Sequence, residues 1–357
     1  MKLTKFFALI AASAAMFVGC ENTSNSVDTS DIKLTAETVV EVKSPINFVV
    51  TNADGEDVSA NATIFDKSHD FAQVENPFTP TEDGEYTFYA VVGDAISNDI
   101  KVTVTPTVPA LPEDSDAANT SFVHRILMVD HTGTHCGYCP RMMQALKEVA
   151  ETGDYHSKYY EAMAHSYNTS DPAYSGAAAS ITGYYGINSY PALTYNFAHS
   201  TTSSYNADHI KSQIDALWKE SADAGIAAAT SMATKSVVVN TEIKAAVAGE
   251  YSVTAWLLED NIEGKQTNAT EEWMNIHNNA IRQAATTSPI TGYELGTIEA
   301  GATATQILNL NIIQSSWNRD NMKVMVIVSK KNDKGKYDVA NVVLCAIDDT
   351  VTYNYNN

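Results

Sequence analysis

Ile126-Leu127-Met128-Val129-Asp130-His131-Thr132-Gly133-Thr134-His135-Cys136-Gly137-Tyr138-Cys139-Pro140 is the stretch from which the rest of the chain is read. Its first four residues are a continuous apolar run, the pattern of a strand buried on both faces. After Cys139, the residues Met143, Leu146 and Ala150 recur at helical spacing, and Gly153 stands where a helix would stop. The order is therefore strand, Cys-x-x-Cys, helix. Two residues between the cysteines allow a small disulfide ring that opens and closes. A helix N-terminus favours the Cys136 thiolate, the nucleophile of thiol–disulfide exchange.

Outward from the motif, residues 121–222 alternate strand and helix signals. Glu161 to Ser166 and Ala192 to Tyr195 read as strands, Ala177 to Tyr184 as a helix, and Ile210, Ile214 and Leu217 mark an amphipathic helix. That alternation defines an α/β unit. The cysteine pair has other readings. His131 and His135 stand close enough to join a zinc site on paper, but Cys-x-x-Cys is half of such a site and no second pair exists. Haem attachment needs a histidine after the second cysteine, where Pro140 stands. No metal and no cofactor is expected. The remaining rival is a permanently oxidised structural disulfide. His135 is either a support for the neighbouring thiolate when protonated or an exposed loop histidine.

Three features of this region resemble the thioredoxin superfamily. Cys136-Gly137-Tyr138-Cys139 has the Gly-Tyr interior of bacterial periplasmic disulfide isomerases. Asp130 stands six residues before Cys136, where thioredoxins carry a buried acid. Ile187-Asn188-Ser189-Tyr190-Pro191-Ala192-Leu193 resembles the loop that holds a cis-proline beside the disulfide. The resemblance spans residues 121–222. It implies that Cys136 attacks, that Cys139 resolves the mixed disulfide, and that Asp130 relays the Cys139 proton. It also puts Tyr190, Pro191 and His135 beside the substrate. A buried carboxyl at 130 would have a raised pKa and act as acid or base, whereas a solvated strand-end Asp130 would do neither. Tyr190 either contacts substrate or only packs against the disulfide. His135 replaces the usual Trp, Tyr190 stands where Thr, Val or Ile is common, and residues 168–186 read as an insertion.

The flanks are β-rich. Within residues 32–106, Ile46 to Val50, Tyr86 to Val92 and Ile100 to Val104 are short runs separated by turn signals, the pattern of a β-sandwich. Asp83-Gly84-Glu85-Tyr86 resembles the tyrosine corner of immunoglobulin-like domains, which gives Tyr86 a structural role. Residues 107–120 form a linker, extended by Pro109 and Pro112 and solvated by Glu113, Asp114 and Asp116. Residues 223–357 return to alternation at Tyr251, Val253, Ala255 and Leu257 and at Leu308, Leu310 and Ile312, the pattern of a second sandwich. Cys345 lies in an apolar run and reads as a buried free thiol. The expected fold is thus multidomain, β plus α/β: an immunoglobulin-like β-sandwich, a thioredoxin-like α/β domain and a C-terminal β-sandwich.

Residues 1–20, MKLTKFFALIAASAAMFVGC, pair basic Lys2 and Lys5 with an apolar run of signal-peptide length. Phe17-Val18-Gly19-Cys20 resembles a lipoprotein box, which implies cleavage before Cys20 and its lipidation. Residues 21–31 read as a polar tether. Glu21 after that cysteine allows an outer-membrane destination, periplasmic or surface-facing. The lipobox, Thr132-Gly133-Thr134-His135-Cys136-Gly137-Tyr138-Cys139-Pro140, Tyr184 to Pro191, His277-Asn278-Asn279-Ala280-Ile281-Arg282 and the C-terminal sandwich together resemble the outer membrane protein 28-related lipoproteins, from about residue 120 onward.

Composition narrows the partners. The chain has 357 residues, 44% of them apolar, enough for several cores. With 22 Lys and Arg against 43 Asp and Glu, its net charge is −21. Such a balance excludes electrostatic binding to nucleic acid, which needs basic surface. The membrane is reached through the lipid anchor, and the expected partners are thiols or disulfides of exported proteins. The sequence names no redox partner.

Overall fold

The structure is a computed structural model that describes residues 31–197 and 201–356. The signal segment, Cys20 and the tether up to residue 30 lie outside the described residues. The chain divides into two compact units. Strands β1 (Ile32–Thr35), β2 (Val39–Glu41), β3 (Val49–Asn52), β4 (Thr63–Asp66), β5 (Ala72–Val74), β6 (Gly84–Val92), β7 (Ala95–Ile96) and β8 (Ile100–Thr105) precede the proline-rich segment.

The first unit contains Ile46–Phe78 and Tyr86–Val102, with the described residues before Val39. Here β1 pairs antiparallel with β3, and β4 lies between β5 and β6. Period-two alternation turns Tyr86, Phe88, Ala90 and Val92 of β6 inward. Phe88 packs edge-on against Phe48 at 4.8 Å, and Tyr86 stacks on Phe88 at 5.9 Å. Tyr86 is buried, as a structural tyrosine requires.

The second unit includes all residues from Thr103 onward. It begins with β9 (Ile126–Thr132), α1 (Cys139–Glu151), β10 (Tyr159–His165), α2 (Gly176–Tyr184), β11 (Ala192–Tyr195), β12 (Thr201–Thr202) and α3 (Ala207–Leu217). Next come β13 (Ala224–Met232), β14 (Ser236–Ala245), β15 (Gly249–Glu259), β16 (Ile262–Glu263), β17 (Ile276–His277), β18 (Ala280–Ala284) and β19 (Tyr293–Ile298). The last strands are β20 (Thr303–Asn311), β21 (Met322–Lys331), β22 (Tyr337–Ala346) and β23 (Thr350–Val351).

One nine-stranded sheet runs β12-β11-β9-β10-β18-β15-β21-β22, with β19 also on β15. β10 is parallel to β9, and β11 is antiparallel to it. The α/β residues and the later strands are thus one sheet, joined where Met163 of β10 meets Ala280 of β18. A four-stranded sheet, β20-β14-β13-β23, packs on the later strands through Val239, Leu308, Tyr251, Val253 and Val326. On the β9 side, α1 and α3 cover Ile126, Met128 and Leu193. The opposite face carries α2, and its apolar layer continues from Val129 and Ala164 through Ile181 to Trp256, Leu258 and Ile327. β15 is therefore buried on both faces, and Ser252 and Thr254 are as buried as the apolar residues they alternate with.

The expected spacer differs from the observed one. Pro109 O accepts from Asn240 Nδ2 at 2.9 Å. Asp114 is only partly exposed: its carboxylate accepts from Lys244 Nζ at 3.0 Å and from the Tyr355 hydroxyl at 2.8 Å. Lys244 points from β14 with only 2% of its side chain exposed, and a charge so buried needs a counter-ion, which the linker supplies.

Candidate active site

The cysteines sit where β9 gives way to α1. Cys139 opens the helix and Cys136 lies one turn before it, joined by a disulfide with Cα atoms 5.4 Å apart. Cys136 N donates to Gly133 O at 3.0 Å, which turns the chain tightly into the motif. Gly133 allows that path, since a Cβ there would lie 2.7 Å from Tyr167 Cβ. Pro140 follows in the first helical turn, where a missing N–H costs nothing. Exchange requires an accessible sulfur, yet Cys136 is 3% exposed and Cys139 fully buried.

β9 and the neighbouring β10 carry two buried carboxyls on one face. Asp130 shares a strand face with Met128, which packs against α1. Its strand partner is Met163, and Glu161 stands two residues before Met163 on the same face of β10. Neither oxygen of Asp130 has a protein partner among the described residues, nor do Glu161 Oε1 or Tyr195 Oη. Burial first, and then the Glu161 carboxylate, push Asp130 well above the usual carboxylate range. Burial raises Glu161 to about 7. Asp130 is thus a buried acid whose charged form its surroundings disfavour.

The other face of β9 is closed. His131 bonds through Nδ1 to Thr182 Oγ1 at 2.9 Å and through Nε2 to Thr194 Oγ1 at 3.1 Å. No nitrogen is left for the zinc alternative, and burial lowers its pKa to about 4. His135 is exposed and meets Thr134 Oγ1 through Nδ1 at 3.1 Å. Pro191 is buried, with a cis Tyr190–Pro191 bond, one residue before Ala192 pairs with His131. Tyr190 is half-buried; its hydroxyl meets Ser166 Oγ at 3.1 Å and its ring stands edge-on to Tyr167 at 5.2 Å.

Several residues that matter here lie outside the motif. Asp171, from the segment read as an insertion, accepts from Thr134 N at 2.7 Å, Ala173 N at 2.8 Å and His165 Nδ1 at 2.9 Å. Burial would raise its pKa, but these donors outweigh it and hold it near 2. The His165 ring stands edge-on to His277 at 4.8 Å, and His277 Nε2 donates to Gly264 O at 3.0 Å. Arg282 is structural: its Nε donates to Glu259 Oε2 at 2.7 Å and Nη1 to Pro172 O at 2.9 Å. From the segment between β16 and β17, Gln266 Nε2 donates to Cys136 O at 2.9 Å. Cys345 is a buried free thiol on β22, its pKa raised by burial.

Fold and site together define a β-rich, multidomain chain with a covered Cys-x-x-Cys disulfide at the end of a mixed sheet. Residues 178–351 match the family described as Outer membrane protein Omp28. That match includes Pro191, His277, Arg282 and Cys345 but not Cys136 or Cys139, and it begins later than residue 120, where the sequence resemblance starts. The chain is also similar to the structure of HBP35 of Porphyromonas gingivalis, with a TM-score of 0.54 and 14% identity over 67% of this chain and 79% of that chain. At that identity the likeness is one of fold. No curated protein matches the sequence. Among the described residues, no helix is long and apolar enough to cross a membrane.

Proposed function

We propose that this chain is an outer-membrane lipoprotein, anchored through Cys20, that exchanges thiols and disulfides with exported proteins through Cys136 and Cys139. In this reading residues 121–222 are a thioredoxin-like unit, set between an immunoglobulin-like module and a C-terminal sandwich. The observation that carries it is the Cys136–Cys139 disulfide at the start of α1, at the end of the strand that buries Asp130 and raises its pKa. The strand order β12-β11-β9-β10, with α1 and α3 on one face and α2 on the other, supports it further.

From the oxidised state, a substrate thiolate attacks Cys136 Sγ. The Cys136–Cys139 bond breaks, a mixed disulfide forms, and Cys139 leaves as a thiolate that takes its proton from Asp130. A second substrate thiolate then attacks the substrate sulfur of the mixed disulfide and releases Cys136. Two electrons have passed from a substrate dithiol to the cysteine pair, and the reverse sequence reduces a substrate disulfide. Direction follows the difference in reduction potential.

The 3% exposure of Cys136 favours a second reading, in which the disulfide is a staple in a binding lipoprotein. The Cys139→Ala variant, which cannot resolve, separates the two. It is expected to accumulate reductant-sensitive adducts with exported proteins in cells, and the variant also lacking Cys136 is expected to form none. Mass spectrometry of the same adducts reads whether the mature chain starts at a lipidated Cys20. If Cys139→Ala traps nothing, the exchange reading fails and the staple remains.

A further inference from the structure

The segment between β16 and β17 crosses the cysteine loop and makes three consecutive contacts with it. Gln266, 2% exposed, donates from Nε2 to Cys136 O at 2.9 Å. Thr267 N donates to Thr134 O at 2.7 Å. Asn268 Nδ2 donates to Gly137 O at 3.1 Å. The segment is held from behind by Asn275, whose carbonyl accepts from Gly264 N at 2.9 Å and whose Oδ1 accepts from Gln266 N at 2.9 Å. Its base fits closely, since a Cβ on Gly264 would lie 2.8 Å from Pro172 Cγ and 3.0 Å from Thr134 Cγ2.

These three contacts are all neutral hydrogen bonds, and two of them run through side-chain amides. Neither an ion pair nor a disulfide is among them. The closed arrangement also carries a defect, because Gln266 Oε1 is buried without a protein partner among the described residues. An unsatisfied buried acceptor costs free energy that opening returns. The segment is therefore well enough bonded to shut and imperfect enough to lift.

We propose that Gln266, Thr267 and Asn268 form a displaceable cover that determines which thiols and disulfides reach Cys136. The proposal rests on the exchange reading and adds a rule of selection to it. A small thiol such as dithiothreitol has too few donors to replace all three bonds that the cover makes to the carbonyls of Thr134, Cys136 and Gly137. An extended polypeptide carries backbone and side-chain N–H donors that replace the bonds it displaces. The site is then selective for protein substrates and protected from the low-molecular-weight thiol pool.

The test is the rate at which dithiothreitol reduces Cys136–Cys139 in the full native chain, followed by mass spectrometry of the alkylated Cys136 and Cys139 peptides. The double variant Gln266→Ala/Asn268→Gly is expected to be reduced about tenfold faster than wild type, because access governs the rate. Asn268→Gly alone removes one bond from an exposed residue and keeps its left-handed backbone (φ 61°) unstrained; it is expected to accelerate reduction in the same direction, and it decides the matter if the double variant unfolds. Rates within about twofold of wild type in the folded variants would overturn the cover, since access then does not limit attack. Trapping by Cys139→Ala is independent of this measurement. Faster reduction without cellular adducts keeps the cover and sinks exchange, and adducts with unchanged reduction do the reverse.

Discussion

Asp130 and Glu161 show how much one residue's surroundings decide. Both are carboxylates in an apolar layer, and both are pushed upward by burial. Asp130 was legible in the sequence because its spacing from Cys136 is a local quantity. Glu161 was not: a lone Glu in a strand reads as the solvated position of an alternation, and only the register of β10 on β9 brings it to Asp130's face. Its raised pKa has a stability consequence whose sign can be worked out. The folded state keeps the Glu161 proton up to about pH 7, while an ordinary Glu loses it near 4.5. That contribution is present below pH 4.5 and is lost as pH rises through 7. His124, His131 and His277, lowered to about 4 with burial as the main cause, act oppositely; their contribution is lost as pH falls from 6.5 toward 4. Glu161→Gln removes the first effect, together with the upward push of Glu161 on Asp130, and leaves the histidines as they are. Its advantage over wild type in urea denaturation is expected to grow from near zero at pH 4.5 to about 2 kcal/mol above pH 7, a figure already discounted for partial exposure. A pH-independent difference would show that the carboxyl is not held neutral.

At the scale of elements, what was legible and what was not divide by range. The strand, motif and helix around Cys136 were readable because each is a local pattern, and so was the strand after Pro191. The β16–β17 segment carries no periodicity, and its partners lie about 130 positions away in sequence, so nothing local marks it as the cover of a site. The linker misled for the same reason. Two prolines and three acids spell a solvated spacer, but β14 offers a buried ammonium that donates to Asp114, Ala117 and Tyr355. Lys244→Met is expected to cost about 1–3 kcal/mol, below the value for a fully buried pair because Asp114 keeps some solvent. It is also expected to open residues 107–120 to limited proteolysis. Unchanged stability and no new cleavage would mean that the segment is held by something other than this pair.

The whole second unit is less divisible than its sequence suggests. Residues 121–222 read as a self-contained α/β domain, yet β10 lends its outer edge to β18, and the layer beneath α2 runs on without a break into β15, β21 and β22. Cutting after residue 222 would expose Leu127, Val129 and Ala164 on one face and an unpaired strand edge beside them, losses that a segment of this size cannot absorb. The 121–222 fragment is therefore expected to be unfolded or aggregated when made alone. In the intact chain two probes can watch the two halves of this unit. All described α-helices lie between Cys139 and Leu217, so far-UV circular dichroism follows the first half, while the buried Trp256 and Trp317 report the second by fluorescence once the exposed Trp218 of the first half is replaced by Phe. The first unit is nearly silent in both, having no tryptophan and no described α-helix. A shared core requires the helical and tryptophan signals to be lost together in urea, with one midpoint. Separate midpoints, or a folded fragment, would restore two independent domains and leave the Met163–Ala280 junction as a mere contact.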